Sequence, residues 1–292
     1  MKLSVRHTTR YRFDHPVRGV VQSLRLWPAD CASQKVLSWE VRTEGATRGA
    51  EFTDGAGDRT ALASWRGPLE TLTVEVIGEI ETVDLFGVLR DHREKGPASL
   101  YLRSTRQVRP DQDLKDLSAS ALEGMTGASD LDRAHALAKA VTDAIEYAPG
   151  ETRAHTTAAE ALSGGKGVCQ DHAHALIAVA HAAGIPARYV TGYLQADEDG
   201  QQHEASHAWA ELFVPELGWV GFDAANRCCP DERYIRLGSG YDAQDAAPIR
   251  GVVQGSTPDE HLEVEVVVAT GPPQQQSPRP RDALARPPHR QS

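Results

Sequence analysis

Polar and apolar residues alternate with period two at the start of the chain. Leu3, Val5, His7, Thr9, Tyr11 and Phe13 share one face, and Lys2, Ser4, Arg6, Thr8, Arg10 and Arg12 share the other. That pattern belongs to a half-buried strand. It returns at Leu37, Trp39 and Val41, and again at Leu72, Val74, Val76 and Ile80, with Thr71, Thr73, Glu75 and Glu79 facing out. Turn signals at Asp54-Gly55, Gly57-Asp58 and Gly67-Pro68 fall between these runs. No useful helical period appears before about residue 110. Residues 1–100 therefore read as an all-β domain, a sandwich.

The period then changes to that of helices. Residues 113–124 and 130–147 are rich in Ala and Leu, with Gly124 able to end the first helix and Asp130 able to cap the second. A short helix is expected over 156–163, broken by Gly164, Gly165 and Gly167. The next carries Val168, Ala173, Leu176, Ile177 and Ala180 on one face and stops at Gly184. Strands are expected near 186–195, 205–214, 218–223 and 259–269. Helices followed by strands make residues 101–270 an α+β domain. Residues 271–292, rich in Pro, Gln and Arg, read as a disordered tail, locally basic through Arg279, Arg281, Arg286 and Arg290.

Composition adds limits. The 292 residues suit two domains, and 40% hydrophobic with 25% charged residues excludes a wholly disordered or fibrous chain. The net charge of −10 makes nucleic acid an unsuitable main partner. No apolar run approaches the roughly 20 residues of a membrane helix, so no membrane partner is expected. The N-terminus has no apolar core of a secretory signal, and a cytoplasmic location is the expectation. Cys31, Cys169, Cys228 and Cys229 are too sparse for a disulfide framework and read as reduced thiols.

Chemistry concentrates in the second domain. Cys169 follows a glycine-rich turn and opens a helix, where the helix dipole and unpaired backbone N–H groups favour a thiolate. Its own amide can donate to an oxyanion. The plain alternative is a buried structural cysteine. His207 lies on a strand face with Trp209, Glu211 and Phe213. A rigid strand can hold an imidazole against a thiol, although a core histidine fits the position as well. Asp223 ends the next strand, where a carboxylate can fix the imidazole tautomer. Its alternative is a turn-forming Asx residue.

These residues also carry a resemblance. GVCQDHAHALIAVAHAAGIPARYVTGYL at 167–194 and HAWAELFVPELGWVGFDAAN at 207–226 closely resemble the bacterial transglutaminase-like superfamily, whose members include candidate cysteine proteases. YAPGETRAHTTAAEAL at 147–162 resembles the lead-in to the family's cysteine, and RYIRLGSGYDAQDAAPIRGV at 233–252 a downstream segment. The N-terminal β region resembles the family's N-terminal domain, so nearly all of 1–270 is covered. The resemblance implies a papain-like active site in permuted order, with Cys169 as nucleophile, His207 as base and Asp223 as orienting acid. Two positions depart from the family. Asp223-Ala224-Ala225-Asn226 stands where Asp-Pro-Thr-Asn is frequent, and His172 stands where an aromatic residue is usual.

Gln170, His172 and Trp209 are candidate substrate contacts, with solvation, aromatic replacement and core packing as their respective plain alternatives. Asp171 suits the first helical turn, and Arg188 and Tyr193 lie on the strand after the helix. His172, His174, His181, His203, His207, Cys228 and Cys229 are locally rich in ligand types but form no zinc motif. No metal and no cofactor are expected, and no calcium loop is present. The expected activity is acyl transfer from a peptide, isopeptide or side-chain amide through a thioester, with hydrolysis slightly preferred. Amide cross-linking by an amine acceptor and a non-catalytic interaction scaffold are the alternatives. The β domain can recruit substrate or support a homo-oligomer.

Overall fold

A computed structural model describes residues 1–195, 206–255 and 260–271. The chain opens with β1 (Lys2–Leu24), β2 (Gln34–Arg42), β3 (Thr47–Thr53) and β4 (Arg59–Thr82). After a connector come α1 (Gln112–Ala121), α2 (Asp130–Ala144), β5 (Glu146–Tyr147), α3 (Ala158–Gly164), β6 (Lys166–Gly167) and α4 (Cys169–Ala182). The chain continues through β7 (Ala187–Leu194), β8 (Ser206–Val214), β9 (Gly218–Phe222) and β10 (Tyr234–Gly240), then β11 (Ile249–Gln254) and β12 (Glu260–Thr270). The expected tail falls outside the described residues beyond Gly271. Among the described residues no helix is long and apolar enough to cross a membrane.

The alternation of the first segment becomes burial. Leu3, Val5, His7, Thr9 and Phe13 point inward, as do Leu72, Val74, Val76 and Ile80 of β4. The strand-rich region is one hydrogen-bonded antiparallel sheet in the order β11-β1-β4-β2. β12 also pairs with β1, along Leu3–Phe13, and β3 with β4. Chain order assigns 249–270 to the second domain, but their hydrogen bonds place both strands in the first sheet. Gly67-Pro68, expected as a turn, instead lies inside β4 opposite a bulge in β1. A Cβ on Gly67 would meet the Val17 carbonyl at 2.0 Å, so a residue without a side chain is required there.

In the second region, helices pack on the sheet β10-β7-β8-β9. α1 is capped by Asp111, whose carboxylate accepts the Leu114 N–H at 3.0 Å. α2 is capped by Ser129 rather than by Asp130; the Ser129 hydroxyl accepts the Asp132 N–H at 3.1 Å. Thr157 and Glu160 form a capping box on α3. α4 is buried on every side from Asp171 to Ala180, because its many alanines let α1, α2, α3 and the sheet approach together. Gly184, in the left-handed region, follows its end.

The two faces of β8 do different work. Ala208, Ala210, Leu212 and Val214 join the core beneath α4. Glu211, on the opposite face, anchors a buried ionic network that reaches the first sheet. It accepts from Arg188 Nε at 2.7 Å and from Arg236 Nε at 2.8 Å. Arg188 also meets Glu94 of the connector at 2.6 Å, and Arg236 meets Asp58 at the entrance to β4 at 2.9 Å. Beside this network, Leu3, Val5 and Ile80 pack against Tyr193, Ile235 and Leu237. Each such side chain stabilises the junction by roughly 1.5–3 kcal/mol. The first sheet thus covers the face of the core sheet that the helices leave open.

Candidate active site

Cys169 is the first residue of α4. The turn into that helix is tightly specified. Asp171 reaches back, its Oδ2 accepting the Val168 N–H at 2.8 Å and the Thr152 hydroxyl at 2.6 Å. A Cβ on Gly167 would meet Asp171 Cβ at 2.6 Å, so glycine lets the chain pass the capping carboxylate. The Asp171 and His172 N–H groups donate to the Val168 carbonyl at 2.9 and 3.1 Å, and the positive end of the helix dipole lies at Cys169.

His207 stands near the start of β8, with 9% of its surface exposed. Its Nε2 lies 2.6 Å from Asp223 Oδ2, directly after β9. The Cys169 thiol, at the start of α4, is near enough to the ring to act on its charge. Burial opposes charge on the ring, but the hydrogen bond to Asp223 and the nearby Cys169 and Asp223 groups outweigh it and raise the His207 pKa to about 10. Asp223 is held below the ordinary carboxylate range: burial pushes it up, and hydrogen bonds from His207, Tyr234 and the Asn226 backbone overcome that. The structure therefore brings together the three residues that sequence singled out, Cys169, His207 and Asp223.

Asp223 is bound on both oxygens. Oδ1 accepts the Ala225 and Asn226 backbone N–H groups at 3.0 and 3.1 Å, making the tight turn. Oδ2 accepts from the Asn226 side chain at 2.8 Å and from the Tyr234 hydroxyl at 2.8 Å. Alanines in place of Pro-Thr leave this turn intact. Asn226 was assigned no role from sequence. Tyr234 lies eleven residues beyond Asp223, and no spacing rule points to it.

Gln170 is half-buried and donates to the Ala154 carbonyl at 3.2 Å, bracing the loop beside the helix start. His172 is buried, with Nδ1 and Nε2 each 3.0 Å from a backbone carbonyl, of Val168 and Ile145. Trp209 is buried and packs near-parallel to the His207 ring at 6.4 Å, with Tyr234 edge-on at 5.5 Å. Two adjoining clefts flank the Asp223 turn. One, of about 280 Å³, is lined by His135, Lys139, Phe222, Arg227 and Cys229. The other, of about 260 Å³, is lined by Tyr147, His172, Ala225 and Arg227.

Of the histidines grouped by sequence as metal ligands, His174 accepts the Ala243 N–H at 3.0 Å and His181 faces the Tyr101 carbonyl at 2.7 Å. Among the described residues no cluster of three His, Cys, Asp or Glu is placed to hold a metal. His203 lies outside them. All four cysteines are unbridged.

Comparison with known proteins bears on the family and the fold. Residues 119–224 match the transglutaminase-like superfamily, and residues 3–81 match the bacterial transglutaminase-like N-terminal region. An uncharacterised protein of Mycobacterium leprae is 31% identical over 268 residues, covering 87% of this chain and 94% of that one. An uncharacterised protein of Mycobacterium tuberculosis is 36% identical over 141 residues, covering 45% of each chain. A solved structure from Cytophaga hutchinsonii, a candidate cysteine protease, shares the fold: TM-score 0.66, 21% identity, and coverage of 95% of this chain and 94% of that one.

Proposed function

The chain belongs to the transglutaminase-like superfamily, and from that premise we propose that it is a cysteine-dependent acyl-transfer enzyme acting on a peptide, isopeptide or side-chain amide. One observation carries the reading: the His207 ring stands between a thiol at a helix N-terminus, near enough to act on its charge, and buried Asp223, 2.6 Å from Nε2. A scaffold has no need to bury a carboxylate behind an imidazole and aim the ring at a thiol.

The geometry supports the following chemistry. Cys169 Sγ, as thiolate, attacks the amide carbon. The oxyanion of the tetrahedral intermediate takes hydrogen bonds from backbone N–H groups of the α4 start, including that of Cys169. His207, held charged by Asp223 and the sulfur, gives its proton to the leaving amine. The C–N bond breaks, and a thioester remains on Cys169. Water, deprotonated by the now neutral His207, then releases a carboxylate. An amine in its place gives a new amide.

Hydrolysis is the preferred outcome, since water is always available and the sequence carries no amine-binding feature. Incubating the protein with a glutamine peptide and a labelled primary amine separates the two: free ammonia without incorporated label means hydrolysis, and label outrunning hydrolysis means transamidation. Cys169→Ala abolishes both. Full turnover by the purified Cys169→Ala protein would overturn the proposal.

A further inference from the structure

We propose that Tyr234 is a positioning residue for this site: its hydroxyl keeps Asp223 ionised and keeps Oδ2 aimed at His207 Nε2. The inference rests on the acyl-transfer reading above. The two oxygens of Asp223 have different surroundings. Oδ1 is occupied by the backbone N–H groups of its own turn, at 3.0 and 3.1 Å, which any Asx turn provides. Oδ2 faces His207, and there the Tyr234 hydroxyl adds a donor from a different strand at 2.8 Å.

That donor is brought from far away in the fold. Tyr234 begins β10 and Asp223 follows β9, and these are the two outer strands of the sheet. The phenol ring bridges them by packing edge-on to Trp209 at 5.5 Å and to His207 at 5.9 Å. Ring packing alone would be met by phenylalanine. A buried hydroxyl is costly unless it is used.

The proton count fixes the direction of the bond. A carboxylate can only accept, so the Tyr234 proton goes to Asp223. The Tyr234 oxygen is left to accept, from Asn226 Nδ2 at 3.4 Å and from Cys228 Sγ, 3.3 Å away. Burial and the Asp223 charge push the Tyr234 phenol well above its ordinary range, so the proton stays on the phenol. Burial likewise pushes Cys228 up and keeps it a thiol. A line of donors thus runs from Cys228 through Tyr234 to Asp223, beside the bond from His207. Hydrogen bonds to the charged form are what allow a carboxylate with 1% exposure to stay ionised.

The test needs no substrate. The rate of Cys169 alkylation by iodoacetamide is measured against pH for the native protein and for Tyr234→Phe, which removes only the hydroxyl. Asp223 then holds its charge less well. The acid-side fall in labelling is expected to move to higher pH by about one unit, equivalent to one hydrogen bond to a charged group. A profile superimposable on that of the native protein overturns the inference, even if Tyr234→Phe melts at a lower temperature. A second probe replaces Tyr234 with 3,5-difluorotyrosine, a stronger donor of the same shape, which guards against a variant that fails to fold. It is expected to move the fall to lower pH, and no movement counts against the inference. If Cys169 of the native protein labels no faster than the other cysteines, the acyl-transfer reading itself has failed.

Discussion

The Tyr193 hydroxyl lies 2.7 Å from Nδ1 of His7, joining β7 of the core to β1 of the first sheet. The other ring nitrogen lies 2.8 Å from the Thr9 hydroxyl. Burial lowers the His7 pKa to about 4 and lowers that of His174, beneath α4, to about 4 as well. In the unfolded chain both rings bind a proton below about 6.5, while the folded protein resists until about 4. Their contribution to stability is therefore whole above pH 6.5 and is lost as pH falls through that window. Each is expected to account for about 3 kcal/mol of acid destabilisation at pH 4. Urea denaturation at pH 7 and pH 4.5 checks this, with His7→Asn expected to show a smaller difference than the native protein.

The Glu211 network makes a second prediction. Burial opposes its charge, but Arg236 and Arg188 lower the Glu211 pKa to about 2. Glu211→Ala leaves two buried guanidinium groups without their shared partner. A loss of about 3–5 kcal/mol is expected in urea denaturation. Glu211→Gln keeps the shape and some donors' partners, and is expected to lose less.

The cap on α4 links stability to reactivity. Asp171→Ala removes the acceptor that holds the Val168 N–H and the Thr152 hydroxyl. It is expected to cost about 0.5–2 kcal/mol. Because it loosens the turn carrying Cys169, it is also expected to slow iodoacetamide labelling of that thiol in the folded protein.

What sequence made legible follows from how each element is buried. β1 and β4 are half-exposed strands, so their alternation is plain in the letters. β10 is buried on both faces and carries Gly238 and Gly240, so it shows neither alternation nor strand propensity. β3 and β11 are largely exposed and carry no apolar stripe. The return of β11 and β12 to the first sheet is a long-range pairing that no local pattern encodes. Within the site, Cys169, His207 and Asp223 were readable because each sits at an element end or on a strand face with a recognisable motif around it. Tyr234 was not, because its role arises from the meeting of two outer strands. Trp209 and His172, read as candidate substrate contacts, are both buried, and His172 also lines the cleft beside the Asp223 turn.

The proposed chemistry gives His207 and Asp223 different kinetic roles. His207→Ala removes the proton donor and is expected to lower amide turnover by about 10²–10⁴-fold. Asp223→Asn keeps the turn and one acceptor oxygen and is expected to cost less. Steady-state rates on one amide substrate compare the two, and an Asp223→Asn loss exceeding that of His207→Ala would assign Asp223 more than orientation.

The thiol–imidazole pair is tested most directly by alkylation of the native protein across pH, read residue by residue by peptide mass spectrometry. Cys31, Cys228 and Cys229 are internal controls, since burial pushes each thiol up, Cys229 to about 11. Cys169 is expected to label faster than the three controls, and His207→Ala to slow it. Labelling of Cys169 no faster than the controls, or only after unfolding, would contradict the pair and the acyl-transfer chemistry built on it.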